Sequence, residues 1–193
     1  MRRTCLTLGL VTMTSGAFAA ESAYTIDPFH TYPNFKVSHL GFSTMYGRFN
    51  KTSGKLMLDP GKSGSVEIVI DAASIDTGMQ DKGPYPRSRD DHLRSSDFLN
   101  VTEFPQLTYK SRKITFNGDK ATIEGDFTML GVTKPVTLDV ERWHCGAHPM
   151  NKKEVCGFDA TGKLRRSDFG MTYGVPGVGD ELTLMIELEA TKN

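Results

Sequence analysis

The run LTLMIELE at residues 182–189 decides the class of fold. Leu182, Leu184, Ile186 and Leu188 fall on one side of an extended chain and Thr183, Met185, Glu187 and Glu189 on the other, the period of a strand with one face against a core. Working back along the chain, the alternation recurs in Val136, Leu138 and Val140, then in Ile123, Gly125, Phe127 and Met129. It recurs again in Leu107, Tyr109 and Ser111, in Val66, Ile68 and Ile70, and in Phe35, Val37 and His39, with Phe49 opening a further strand and Phe158, Ala160 and Leu164 marking another. Turn signals separate the runs: Asp59-Pro60-Gly61, where proline presets φ and glycine accepts a positive one, Asn117-Gly118-Asp119, and Gly131. About eight such strands predict an all-β protein with a short helical insert, closed as an antiparallel eight-stranded up-and-down barrel; a β-sandwich is the alternative.

The insert is the one place where the period of two fails. Residues 87–99, RSRDDHLRSSDFL, gather Arg89, Asp90, Asp91, His92 and Arg94 beside the apolar Leu93, Phe98 and Leu99. Ser88 followed three positions later by Asp91 is a capping-box-like start, and Ser96 is placed to cap a second short turn. Such a cluster reads as exposed charge on a lid, as a polar group closing one barrel end, or as an active site. Any buried member must be paired, because an isolated buried charge is very costly.

The first residues resemble a leader. Arg2 and Arg3 precede a short apolar run, and Ala17-Phe18-Ala19 has the small-x-small form of a signal-peptidase site. Residues 1–19 are therefore expected to be a signal peptide, and residues 20–193 one exported domain, soluble in a bacterial periplasm. The precursor has no formal net charge and the mature chain is slightly acidic, which argues against nucleic acid as a partner. In an oxidising compartment Cys145 and Cys156 are expected to pair. A metal site with His144 and His148 is the alternative, although the spacing fits no common zinc pattern.

Catalytic signatures are missing: there is no GxSxG, HExxH, phosphate-binding glycine loop or CxxC, so no catalytic residue and no metal ligand is assigned. Inward positions are large at Phe35, Phe49, Tyr109, Phe127 and Phe158 but small at Gly125, Ala160 and Gly162. That mixture describes either a filled, tapered core or a lengthwise apolar channel. Arg166-Ser167-Asp168-Phe169-Gly170 reads as a loop corner, with Phe169 plugging the core and Gly170 at a strained backbone angle.

A family resemblance enters on the ordered motifs Tyr24-x-Ile26-Asp27 with His30, Phe35-x-Val37-x-His39-Leu40-Gly41, Gly47-x-Phe49, Arg89-Asp90-x-His92-Leu93-Arg94-Ser95-x-Asp97-Phe98, Gly131-Val132-Thr133-Lys134-Pro135-Val136 and the closing Arg166 to Gly170 run. Over nearly the whole mature chain this resembles the YceI-like family, in its periplasmic polyisoprenoid-binding members. The resemblance implies a lipocalin-like barrel whose apolar tunnel holds an isoprenoid chain such as a ubiquinone, with no cofactor required. It favours the channel over the filled core. It also implies a non-catalytic carrier or store, with transient contact with envelope membranes and a homodimer as further expectations. Combined with the alternation, the expected ligand contacts are Phe35, Val37, His39, Phe49, Ile68, Ile70, His92, Leu93, Phe98, Tyr109, Phe127, Met129, Phe158, Phe169 and Leu184, with Arg89, Asp90 and His92 as a polar rim. The competing readings are a metal-dependent enzyme using His39, His92 and Asp90 or Asp91, and a structural or stress-related envelope protein without a ligand.

Overall fold

The protein is described by a computed structural model over residues 21–79 and 81–193; the expected signal peptide lies outside the described residues. The strands are β1 (Ser22–Ile26), β2 (Tyr32–His39), β3 (Ser43–Phe49), β4 (Thr52–Asp59), β5 (Ser63–Asp71), β6 (Ile75–Asp76), β7 (Gln106–Asn117), β8 (Lys120–Met129), β9 (Val132–Ala147), β10 (Glu154–Arg165) and β11 (Glu181–Lys192). One helix, α1 (Arg89–Arg94), and two 3-10 turns at Ala72–Ser74 and Arg166–Phe169 complete the described elements.

All pairings are antiparallel, and β1, β4, β5, β7, β8, β9, β10 and β11 form a closed ring through the β1–β11 pair. The remaining strands prolong that ring at one end. β11 pairs with β1 through Ala190 to Lys192 and with β2 through Thr183 to Glu187, so β1 and β2 act as one strand interrupted by a bend. β2 then pairs with β3, and β3 with the short β6, which carries the line of β5 beyond its 3-10 turn. The expectation of eight antiparallel strands therefore holds for the ring, and the sandwich alternative does not.

The alternation sets which face is wet. On β8, Ala121, Ile123, Phe127 and Met129 are buried, while Glu124 is exposed. Outward charges pair across strands: Glu67 lies opposite Lys55 on one side and Lys110 on the other, at 2.9 and 2.8 Å. The bonds from Lys110 and Lys55 hold the Glu67 carboxyl down at about 2. An apolar inside and a charged outside is the reverse of a membrane-spanning barrel, and among the described residues no helix is long and apolar enough to cross a membrane.

Two small inward positions are filled by neighbours rather than left open. A methyl group on Gly125 would sit 2.4 Å from the Tyr109 ring, and one on Gly162 would sit 2.7 Å from Leu138. The segment between Cys145 and Cys156, whose proline and several charges read in the sequence as a loop pinned at its ends, is instead the end of a β9–β10 hairpin. Both cysteines lie in strands, directly opposite each other and joined by a disulfide, because the ladder continues through Ala147 and Glu154. That bond excludes Cys145 and Cys156 as metal ligands.

Candidate functional site

Two apolar cavities lie end to end inside the barrel. The larger, about 120 Å³, is walled by Tyr109, Ile123, Phe127, Leu138 and Phe158 among others. The smaller, about 90 Å³, lies beneath the helical insert against Phe98, Leu99, Met129 and Met171. They share Phe35, Phe49, Leu107, Phe127 and Leu184, which form the waist between them. An apolar cavity of ~150 Å³ accommodates a molecule the size of benzene. Seating a longer chain therefore requires the waist to widen, where the Phe35 and Phe49 rings stand 6.1 Å apart.

Most of the residues picked out by alternation reach these walls. Phe35, Phe49, Ile68, Ile70, Tyr109, Phe127, Phe158 and Leu184 line the larger cavity, and Val37, Leu93, Phe98 and Met129 the smaller. His39, His92 and Phe169 line neither. His39 ends β2 and bridges to Val178; Phe169 is buried with its ring 5.6 Å from Phe127; His92 stands behind Phe98 with ring centroids 5.0 Å apart. The expected contacts omitted Leu56, Val66, Leu107, Leu138 and Val140, although the alternation that marked their neighbours marks them equally, and Ile114, which a register shift between Ser111 and Lys113 brings onto the inner face.

The insert is built as a lid. Ser88 caps α1, its Oγ accepting from the Asp91 N–H at 3.1 Å and donating to the Asp91 carboxylate at 2.7 Å. The second turn uses Ser95 rather than Ser96: the Ser95 Oγ accepts from the Asp97 N–H at 3.4 Å, while its hydroxyl donates back to the His92 carbonyl at the end of α1 at 2.7 Å. Arg89 and Asp90, expected as a polar rim, border neither cavity. Instead they clamp the lid to the strand edge. Asp90, 2% exposed, accepts from the Thr77 N–H and hydroxyl, and Arg89 donates to the Thr77 hydroxyl at 2.6 Å and carbonyl at 2.7 Å. Burial of the Asp90 charge demands such partners, which is why this pair turns away from the apolar interior. Arg94 donates to the Ala73 and Ile75 carbonyls, both at 2.8 Å. His92 Nε2 lies 2.9 Å from Asp97, and Arg87 donates to the same carboxylate at 2.7 Å; these two bonds, His92 first, hold the Asp97 carboxyl below the usual range.

The corner at residues 166–170 supplies the other side of that mouth. Arg166 is 2% exposed, and its guanidinium donates to the carbonyls of Gly179, Met171 and Val178 at 2.8 to 3.1 Å. Burial pushes its pKa down, and the three carbonyl dipoles compensate the charge while pinning residues 171–179. Gly170 takes φ 89°, so the corner anticipated around Phe169 and Gly170 is present. Tyr173 then reaches back to the lid, its ring 5.1 Å from His92 and 5.2 Å from Phe98.

Neither metal alternative is assembled. Among the described residues the one cluster of three metal-capable side chains is Asp27, His30 and Glu189, at the β1–β2 bend and apart from His39, His92, Asp90 and Asp91. Within that cluster His30 Nδ1 already bonds Asp27 at 2.8 Å.

A family model described as the YceI-like domain matches residues 24–190. The chain belongs to the YceI-like family. It is 36% identical over 185 residues to Protein YceI of Salmonella arizonae, covering 95% of this chain and 93% of that one. The crystal structure of BcnA from Burkholderia cenocepacia is similar at a TM-score of 0.68 and 27% identity, over 83% of this chain and 96% of that chain. A YceI protein of Campylobacter jejuni gives 0.66 and 27%, over 81% and 90%. A polyisoprenoid binding domain from Saccharophagus degradans shares the fold at 0.62 with 14% identity, over 89% and 99%. In this YceI-like domain the RDxHLRSxDF run is the lid, and the GVTKPV run is the β8–β9 turn with the start of β9.

Proposed function

We propose that the protein is a periplasmic binding protein that carries or stores a long-chain isoprenoid lipid, a ubiquinone or other polyprenyl compound, inside the barrel. The observation that carries this reading is the pair of contiguous apolar cavities that ends beneath a hydrogen-bonded lid. A polyprenyl tail has no stable place in an aqueous compartment. Enclosing it gains ~25 cal/mol per Å² of apolar surface, roughly 8 kcal/mol for each ~300 Å² removed from water. Ordering the tail offsets part of that gain.

The family membership supports lipid binding, and a structure of the same fold is described as a polyisoprenoid binding domain. The Cys145–Cys156 disulfide suits an oxidising compartment. The reading needs no cofactor and gives no residue a catalytic role. Native mass spectrometry of protein purified from its own host, followed by lipid extraction, tests it. A bound isoprenoid is the expected result. Protein that carries no lipid and takes up no added quinone would overturn it.

A further inference from the structure

Two surface segments stand apart from the rest of the chain in their chemistry. Across the whole sequence 24% of residues are charged, yet residues 37–47 (VSHLGFSTMYG) and 169–179 (FGMTYGVPGVG) contain no Asp, Glu, Lys or Arg. Solubility normally places charge on exposed turns, so an uncharged pair of this length calls for an explanation. The fold brings the two together: the Leu40 N–H donates to the Gly177 carbonyl at 2.6 Å, the Gly179 N–H to the Ser38 carbonyl at 2.8 Å, and His39 bridges to Val178.

What these segments show to solvent is uncharged, with large apolar and aromatic side chains set among the hydroxyls of Ser38, Ser43, Thr44 and Thr172. Phe42 is 91% exposed and Leu40 57%, with Tyr46, Tyr173 and Val175 also exposed. The β8–β9 turn provides an internal control. Leu130-Gly131 has the same paired positive φ angles as Leu40-Gly41, but Leu130 tucks against the core, whereas Leu40 points outward. Turn geometry therefore does not dictate the exposure of Leu40. The patch also runs without a break into the lid, because Tyr173 packs on His92 and Phe98, and Phe98 walls the smaller cavity.

We propose that this uncharged tip, Leu40-Gly41-Phe42 with Tyr173 and Val175, docks into the interfacial region of a lipid bilayer and sets the lid side of the barrel against the membrane. A convex tip of Leu and Phe flanked by tyrosines has the form of an interfacial anchor, apolar at the point with phenol groups behind at headgroup level. Its lack of charge marks the hydrocarbon boundary, rather than an anionic surface or a charged protein, as what it meets. The proposal rests on the lipid-carrier reading, since a bilayer-resident cargo that enters at the lid avoids crossing water.

The test is flotation of the purified protein with phosphatidylcholine vesicles, with and without phosphatidylglycerol, at low and high salt. The variant is Leu40→Asn with Phe42→Ser. Asn suits the left-handed backbone at position 40, and both side chains are exposed, so the fold is kept. Wild-type protein should bind both vesicle types with little salt dependence, and the variant about tenfold or more weakly. In the absence of vesicles, both proteins should take up a neutral fluorescent apolar probe equally. An uncharged Phe42→Trp reporter should shift to the blue on vesicle addition in a Trp143→Phe background. Vesicle binding that is absent, that the variant leaves intact, or that salt abolishes would overturn the proposal. So would a concentration-dependent dimer that the variant dissolves, which would assign the tip to a second copy of the chain. Probe uptake that fails in wild-type protein would instead overturn the carrier reading, so the two failures are distinguishable.

Discussion

The Asp90 carboxylate on the lid helix accepts both the backbone N–H and the hydroxyl of Thr77, which follows β6, and it does so while 2% exposed. Arg89 closes the group by donating to the Thr77 hydroxyl and carbonyl. Asp90→Ala leaves the part-buried Thr77 N–H without its acceptor, a loss of ~1–3 kcal/mol. Because the clamp joins lid to strand edge, the loss should appear locally. Amide exchange at residues 75–79 and 88–100 should accelerate, and release of a bound probe should quicken. Unchanged exchange in these residues would show that the lid is held by its apolar side alone.

Gly125 and Tyr109 form a second interlocked pair. The Tyr109 hydroxyl lies 3.1 Å from the Ile123 and Val136 carbonyls and donates to one or the other, while its ring occupies the space over Gly125. Burial pushes the Tyr109 pKa up, so the hydroxyl stays protonated and able to donate. Gly125→Ala must displace the ring and that hydroxyl together, with an expected loss of ~1–3 kcal/mol in chemical denaturation. Tyr109→Phe keeps the ring and loses only the hydrogen bond, ~1 kcal/mol. An equal loss in both would mean that the ring yields freely.

The Cys145–Cys156 bond closes the hairpin at the barrel end opposite the lid. Replacing both cysteines by serine should cost up to ~3 kcal/mol on the chain-entropy account. Thermal unfolding of wild-type and variant proteins measures it. Amide exchange of the lid should stay the same, because no lid contact passes through that hairpin.

Acid should loosen the lid mouth from two directions. The Asp97 carboxyl is held low by His92 and then Arg87, and that of Asp180 by the Ser167 hydroxyl and N–H and then by Arg165. A depressed carboxylate contributes stability above its unfolded value, near 3.8, and loses it as pH falls through the lower folded value. Probe release should therefore be constant at neutral pH and accelerate as pH falls below about 4. A rise in the release rate that begins well above that range would assign the effect to other groups.

The barrel was legible because its signal is redundant: each strand repeats the same alternation, and the closing β11 shows it most plainly in residues 182–189. The lid was legible as an interruption, and Ser88 as its cap. Three things were not. Alternation places a side chain inward without saying how far along the barrel it lies, so His39 counted with Phe35 although it sits past the cavity. The direction of Arg89 and Asp90 depended on Thr77, twelve and thirteen residues away, whose segment carries no periodic signal. The emptiness suggested by Gly125 and Gly162 was an artefact of reading strands singly, since Tyr109 and Leu138 reach over from neighbouring strands.

Phe98 offers the sharpest separation of lid from rim. Its ring is buried against the smaller cavity and braced edge-on by His92 at 5.0 Å and Tyr173 at 5.2 Å. Phe98→Asp places a carboxylate in an apolar wall where the nearby Arg166 guanidinium, 5.9 Å from the Phe98 ring centre, already gives its N–H groups to three backbone carbonyls, at a cost of several kcal/mol unless the lid swings out. Either response removes the wall, so retained lipid measured by native mass spectrometry should fall to background. His92→Ala removes an aromatic brace and the Asp97 bond but leaves the Phe98 ring and the apolar lining in place. If tail burial dominates affinity, lipid should then be retained with a faster off-rate. Equal loss in both variants would show that His92, and not the apolar wall, governs retention.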